Sequence, residues 1–248
     1  MTATVANEFK KLLARIPKET LKNVWFFPIR RDKKNPEVPG GTILKGNLYY
    51  RLSPLLAIKR LKASGNVGIY GLPGGLMFLD LDMEKGQLKA SNEFLSKIKP
   101  TFTVKTRNGG LQYYYLNDGH YSNQILKENG KEIVEIRADW QYVVSCGSYV
   151  TPDDNGNGDG TYRVLYDVPI VPFSGLDEYI QSNGQAKDTE IKTFTKATEE
   201  KDKVDFKAYK KKLRRAGKKE KLLTPKEINE LRERIQERIK CRLKITSP

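Results

Sequence analysis

The stretch Gly75-Leu76-Met77-Phe78-Leu79-Asp80-Leu81-Asp82 decides how the rest of the chain is read. It follows the turn signal Pro73-Gly74-Gly75, is strongly apolar, and ends in two carboxylates. These features predict a strand over residues 76–82. Successive side chains on a strand point to opposite faces, so Asp80 and Asp82 share one face while Met77, Leu79 and Leu81 take the other. The apolar face needs a covering layer. On the acidic face two like charges sit side by side, and a hard divalent cation such as Mg2+ or Mn2+ relieves that repulsion with oxygen ligands of this kind. The plainer alternative is a strand end whose acids reach solvent.

Working outward, residues 66–70 read as a short strand and 54–62 as a helix with Leu55, Leu56, Ile58 and Leu61 on or near one face. Residues 24–29 read as a buried strand. Residues 8–16 place Phe9, Leu12, Leu13 and Ile16 at helical spacing. Downstream, 88–98 predicts a helix closed by Pro100. Residues 101–106 and 111–116 predict two strands, and Arg107-Asn108-Gly109-Gly110 between them is a hairpin signal. Residues 132–137 and 140–145 predict a second pair, and 161–166 a further strand. Residues 1–185 therefore read as one α+β unit with a largely antiparallel sheet.

Past Gly184 the composition changes. Residues 186–204 have few large apolar groups and read as a linker. Residues 205–248 read as a basic helical segment. Within it, Thr224-Pro225-Lys226-Glu227 combines a cap, a first-turn proline and a capping box. Ile228, Leu231, Ile235 and Ile239 then form a narrow stripe that needs a partner, which fits the start of a further helical domain.

The chain has 248 residues, 38% hydrophobic and 30% charged, a polar but globular composition. That length buries a core without staples. No apolar run approaches the roughly 18 residues of a membrane helix, and Glu8, Lys10, Lys11 and Arg15 argue against a secretory signal. Two cysteines, Cys146 and Cys241, and one histidine, His120, exclude a disulfide scaffold and a multi-Cys/His zinc site. They also leave little room for histidine-based catalysis. The formal charge is +15. Residues 1–185 hold 24 Lys/Arg against 19 Asp/Glu, and residues 186–248 hold 21 against 11, so +10 of the excess lies in the last quarter. Such asymmetry suggests a polyanionic partner, or else a solvated charged helix.

Two further patterns accompany the aspartates. In Ile133-Val134-Glu135-Ile136-Arg137, Glu135 shares a face with Ile133 and Arg137. Glu135 is a candidate third ligand, and three acids can hold two cations roughly 3.5–4 Å apart for in-line phosphoryl chemistry. The alternative is an exposed face with a Glu–Arg cross-strand pair. Lys105, Arg107 and the turn amides of Asn108, Gly109 and Gly110 could grip a triphosphate, because consecutive N–H groups make an anion nest. The alternative is a tight turn with solvated cations. Gln112 follows on the face opposite Leu111, Tyr113 and Tyr115.

In order and spacing these patterns resemble the archaeo-eukaryotic primase superfamily, and within it the bifunctional primase-polymerases of plasmids and viruses. Asn66-Val67-Gly68-Ile69 with Gly75–Asp82 resembles the first motif, residues 106–115 the second, and 134–148 the third. Phe27-Pro28 and Lys34-Asn35-Pro36 resemble the family's opening. The resemblance covers roughly residues 20–175. It implies an N-terminal α/β module joined to an RRM-like sheet, and template-directed nucleotidyl transfer with two Mg2+ or Mn2+ ions. Asp80 and Asp82 match the first two metal ligands and Glu135 the third. Nucleoside triphosphates are the implied substrates, single-stranded DNA template and primer the partners, and a helicase domain or protein a companion. A cytoplasmic location in the prokaryotic host of a plasmid or virus follows, with no membrane partner and no zinc. The second motif usually carries a histidine that contacts the nucleotide's phosphates. Gln112 stands there, and glutamine donates only a neutral hydrogen bond.

On this reading Arg137 and Ser148 also reach the nucleotide. Lys207, Lys210, Lys211, Lys212, Arg214 and Arg215 hold the template in a salt-sensitive way through counterion release. Two other functions fit the same residues. A metal-dependent nuclease could use Asp80 with Glu135-Ile136-Arg137. A non-catalytic single-strand-binding replication initiator could stack bases on Tyr113, Tyr114 and Tyr115. Incubation with nucleotides separates them, since a polymerase extends its substrate and a nuclease shortens it.

Overall fold

The structure, a computed structural model, describes residues 2–31, 33–37, 50–152 and 158–186. Helix α1 (Thr2–Arg15), the single turn α2 (Lys18–Leu21), strand β1 (Trp25–Ile29), helix α3 (Pro54–Lys62) and strand β2 (Asn66–Tyr70) come first. Strand β3 (Leu76–Leu81) is followed by β4 (Met83–Glu84), β5 (Gln87–Leu88), α4 (Asn92–Lys97), β6 (Thr103–Lys105), β7 (Leu111–Leu116), β8 (Gln124–Glu128) and β9 (Lys131–Arg137). Then come β10 (Tyr142–Val144), β11 (Tyr149–Val150), β12 (Gly160–Thr161), β13 (Arg163–Tyr166), β14 (Val171–Pro172), α5 (Asp177–Asn183) and β15 (Gly184–Ala186). The fold is α+β, and among the described residues every strand pair but one is antiparallel; the exception is β14 beside β7.

Two sheets position everything of interest. The large one runs β13-β6-β7-β3-β9-β8-β15, with β3 in the middle. The small one runs β1-β2-β10. Phe9 and Leu12 of α1, Ala57 and Leu61 of α3, and the strands of the small sheet bury a core that extends onto Leu76, Phe78, Val104 and Tyr114 of the large sheet. The opposite face of β3, with Met77, Leu79 and Leu81, packs with Phe94 of α4 and Ile180 of α5 in a second core. Local chemistry sets the helix starts. The Ser53 hydroxyl accepts from the Leu56 N–H at 3.3 Å and Pro54 follows in the first turn. The Ser91 hydroxyl accepts from the Phe94 N–H at 3.1 Å.

Three expectations change. Helix α4 is shorter than residues 88–98, because Lys85 and Gly86 adopt φ of 50° and 83° in a tight turn that draws Leu88 into strand β5. Residues 132–137 and 140–145 do not pair with each other. Strand β9 lies between β3 and β8 in the large sheet, whereas β10 crosses to the small sheet and pairs with β2. Four residues separate them, and Trp140 takes φ of 54° where the chain turns between sheets. The partner of β9 is instead β8, joined through Asn129 and Gly130 at φ of 50° and 75°. That is the left-handed pair an Asn-Gly hairpin turn requires. Helix α1 also begins earlier than residue 8. The basic segment 205–248 lies outside the described residues.

Candidate active site

Strand register builds the site. Asp80 on β3 pairs directly with Gln112 on β7 and with Glu135 on β9. One row of side chains therefore crosses three strands as Gln112, Asp80, Glu135. The next row is Tyr114, Phe78, Arg137. Side chains in one row point to one face, so the acids project on the side where the small sheet packs. Gly71, at the end of β2, allows that approach. A Cβ there would sit 2.3 Å from the Arg137 carbonyl oxygen.

Arg137 reaches back along its strand. Its Nη2 lies 2.8 Å from Asp80 Oδ2 and 2.9 Å from Glu135 Oε2, while Nη1 donates to the Tyr142 carbonyl of β10 at 2.5 Å. The Glu–Arg pairing raised from sequence is thus present, but along one strand, with Asp80 as the cross-strand member. The side chains of Asp80 and Glu135 are only 13% and 12% exposed, against 69% for Asp82. Burial pushes the Asp80 carboxyl above the ordinary carboxylate range. Arg137 opposes this, Asp82 and Glu135 add to it, and a hydrogen bond from Gln112 opposes it again. For Arg137, burial disfavours the charge, but Asp80 and Glu135, then Tyr142 and Asp82, outweigh it and hold the guanidinium protonated more firmly than usual.

The remaining sequence-derived residues divide. Gln112 is 3% exposed, and its side chain hydrogen-bonds the Asp80 carboxylate. Asp82 lies one residue beyond β3, with Lys89 Nζ at 3.8 Å. Among the described residues no three His, Cys, Asp or Glu side chains form a metal-holding group. Lys105 is exposed at the end of β6. Arg107 Nη1 donates to the Thr151 carbonyl at 2.5 Å. Of the turn amides, Gly109 N–H is spent on the Thr106 carbonyl at 3.1 Å. Gly110 matters for a different reason. A Cβ there would lie 2.5 Å from the Leu81 carbonyl oxygen, so its bare backbone lets the turn abut the end of β3 next to Asp82. Ser148 is fully buried, and its hydroxyl accepts from the Val67 N–H at 3.1 Å and donates to the Val67 carbonyl at 3.3 Å. It ties the third motif to β2. The cations Lys207, Lys210, Lys211, Lys212, Arg214 and Arg215 lie outside the described residues.

Sequence reading takes Tyr114 as a base-stacking candidate and passes over Tyr162; both phenols are buried, shifted upward by that burial, and within electrostatic reach of Asp80. Tyr114 was legible by alternation, two residues after Gln112. The donor set itself suits a hard divalent ion: two partly buried carboxylates from directly paired positions already converge on a single cationic nitrogen.

No helix among the described residues is long and apolar enough to cross a membrane. No curated protein matches the chain. A family model described as "Bifunctional DNA primase/polymerase, N-terminal" matches residues 18–176, which span both sheets as far as β14 and every acid of the site. That match covers well over half of the chain, and the protein therefore belongs to the bifunctional DNA primase/polymerase N-terminal family.

Proposed function

We propose that this protein is a DNA primase-polymerase that joins nucleoside triphosphates on a single-stranded DNA template, in the replication of a plasmid or viral element in a prokaryotic cytoplasm. Beyond family membership, one observation carries this reading: Asp80 and Glu135 occupy one register row with their carboxylates converged on one point. Two Mg2+ or Mn2+ ions bound at such acids would lower the pKa of a primer 3′-hydroxyl and stabilise the pyrophosphate leaving group. Asp80 and Glu135 supply buried oxygen ligands, and Asp82, at the exposed end of the strand, supplies the third. Gln112 keeps Asp80 in one orientation. The turn after β6 abuts the end of β3, and Lys105 stands exposed at its edge as a cation for the triphosphate. The basic segment 205–248 adds phosphate contacts to the template that position the strand without reading sequence. A companion helicase activity supplies unwound template.

The deciding experiment is template-dependent synthesis from labelled nucleotides, with and without a primer, in Mg2+ and in Mn2+. Products longer than the primer, dependent on template and abolished by Asp80→Ala, support the proposal. Shortening of the primer under the same conditions assigns a nuclease instead.

A further inference from the structure

Arg137 holds the position that a cation would need. Its Nη2 bonds both Asp80 and Glu135, at 2.8 and 2.9 Å. On Asp80 Oδ2 and Glu135 Oε2 a guanidinium and a metal ion compete for the same oxygens. Nη1 is anchored on the Tyr142 carbonyl of the small sheet, and Nε is buried with no hydrogen-bond partner among the described residues. Nε and Nη2 form one edge of the guanidinium, with two parallel N–H groups spaced for two oxygens of a phosphate or carboxylate. That edge is only half used in the present arrangement. Two carboxylates against one guanidinium also leave the cluster negative, so it still attracts cations.

We propose that Arg137 is an internal counter-ion that a divalent cation must displace, and that a nucleotide triphosphate draws it off by offering its Nε/Nη2 edge a phosphate. The inference rests on the reading of Asp80 and Glu135 as metal ligands. Metal loading of the free protein is then weak and becomes strong only with nucleotide. The swap balances: the metal takes the carboxylates, Arg137 takes the phosphate, and no buried charge is left unopposed.

The test is Mn2+ binding to the full chain without nucleotide, read by the electron paramagnetic resonance signal of free Mn2+, for wild type, Asp80→Asn, Arg137→Gln and Arg137→Lys. Arg137→Gln should bind Mn2+ at least ~10-fold more tightly than wild type, as loss of a competing charge-assisted pair implies. Its melting temperature should rise more on Mn2+ addition. Its KM for nucleotide should rise as well, so metal and nucleotide affinities move in opposite directions, which loss of a merely structural arginine does not produce. If Asp80→Asn abolishes Mn2+ binding while Arg137→Gln binds no more tightly than wild type, the counter-ion proposal fails and the metal site stands. If Asp80→Asn binds Mn2+ like wild type, the metal reading fails and the proposal falls with it. Should Arg137→Gln not fold, Arg137→Lys decides. A lysine has one nitrogen and cannot both anchor on the Tyr142 carbonyl and hold the two acids as the guanidinium does, so tighter Mn2+ binding than wild type supports the proposal, and equal or weaker binding overturns it.

Discussion

The two faces of β3 carry the same backbone into opposite kinds of chemistry. On one face Met77, Leu79 and Leu81 are completely buried against α4 and α5. On the other, Leu76 and Phe78 are just as buried, but the row then reaches Asp80, whose carboxylate shares an arginine with Glu135. The apolar face is stabilised by area removed from water. The mixed face must compensate the desolvation of two acids with one guanidinium and one amide, and the raised proton affinity of Asp80 shows that the compensation is incomplete. Both faces are buried in a core, but only the Asp80 face also buries charge.

Five substitutions break or sharpen that contrast. Asp80→Ala and Glu135→Ala should each reduce nucleotide incorporation by at least ~100-fold, the scale on which loss of a single preorganised electrostatic group acts. Circular dichroism should remain native, and near-normal primer extension by either would remove the acids from the site. Leu79→Ala, one residue away on the other face, should cost roughly 2–5 kcal/mol in urea unfolding as a buried Leu-to-Ala change, with the rate per folded molecule unchanged. Gln112→Ala should lower turnover at saturating nucleotide by roughly 10-fold, the usual cost of losing a residue that orients a ligating group. Its KM should hardly change. A large rise in KM with unchanged turnover would make Gln112 a phosphate contact after all.

The smallest effect concerns Asp80→Asn in chelator. In the wild type the folded state holds the Asp80 proton more firmly than the unfolded chain does. Wild-type stability therefore falls as pH rises from the ordinary carboxylate value, about 3.9, through the raised folded value. Asparagine has no such proton. The mutant should melt higher than wild type at neutral pH, and the difference should vanish toward pH 3. A mutant that melts lower at neutral pH would mean the Arg137 pairing outweighs the burial of the carboxylate.

Much of this contrast is visible in the sequence. Alternation in residues 75–82 separates the two faces, and the bounds of β2, α3 and β7 follow from apolar runs and turn residues. The shared face of Gln112 and Tyr114 follows from alternation as well. What alternation cannot supply is pairing. Residues 132–137 and 140–145 look like a hairpin because they are close in sequence, yet tertiary packing sends them to different sheets. The Asn129-Gly130 turn and strand β8 before it were present as a local signal and went unread. The role of Arg137 was hidden for a physical reason. It depends on the offset that places Arg137 opposite Phe78, one row from Asp80, within reach of a long side chain. Asp82 keeps its place beside Asp80 in the sequence but leaves the strand, where Lys85 and Gly86 turn the chain.

The crossing of β10 also sets an order of events while the chain is being made. Tyr142 pairs with Tyr70 and Val144 with Gly68. The small sheet thus stays one strand short until the ribosome has released the chain past Val144, long after β1 and β2 have emerged. At ~5–20 residues per second that wait lasts several seconds. Through it, one edge of β2 stands open, the kind of surface on which chaperones act and on which neighbouring nascent chains can pair. The anchor of Arg137 on Tyr142 forms only when the wait ends, so the charged cluster is completed after β3 and β9 have already emerged.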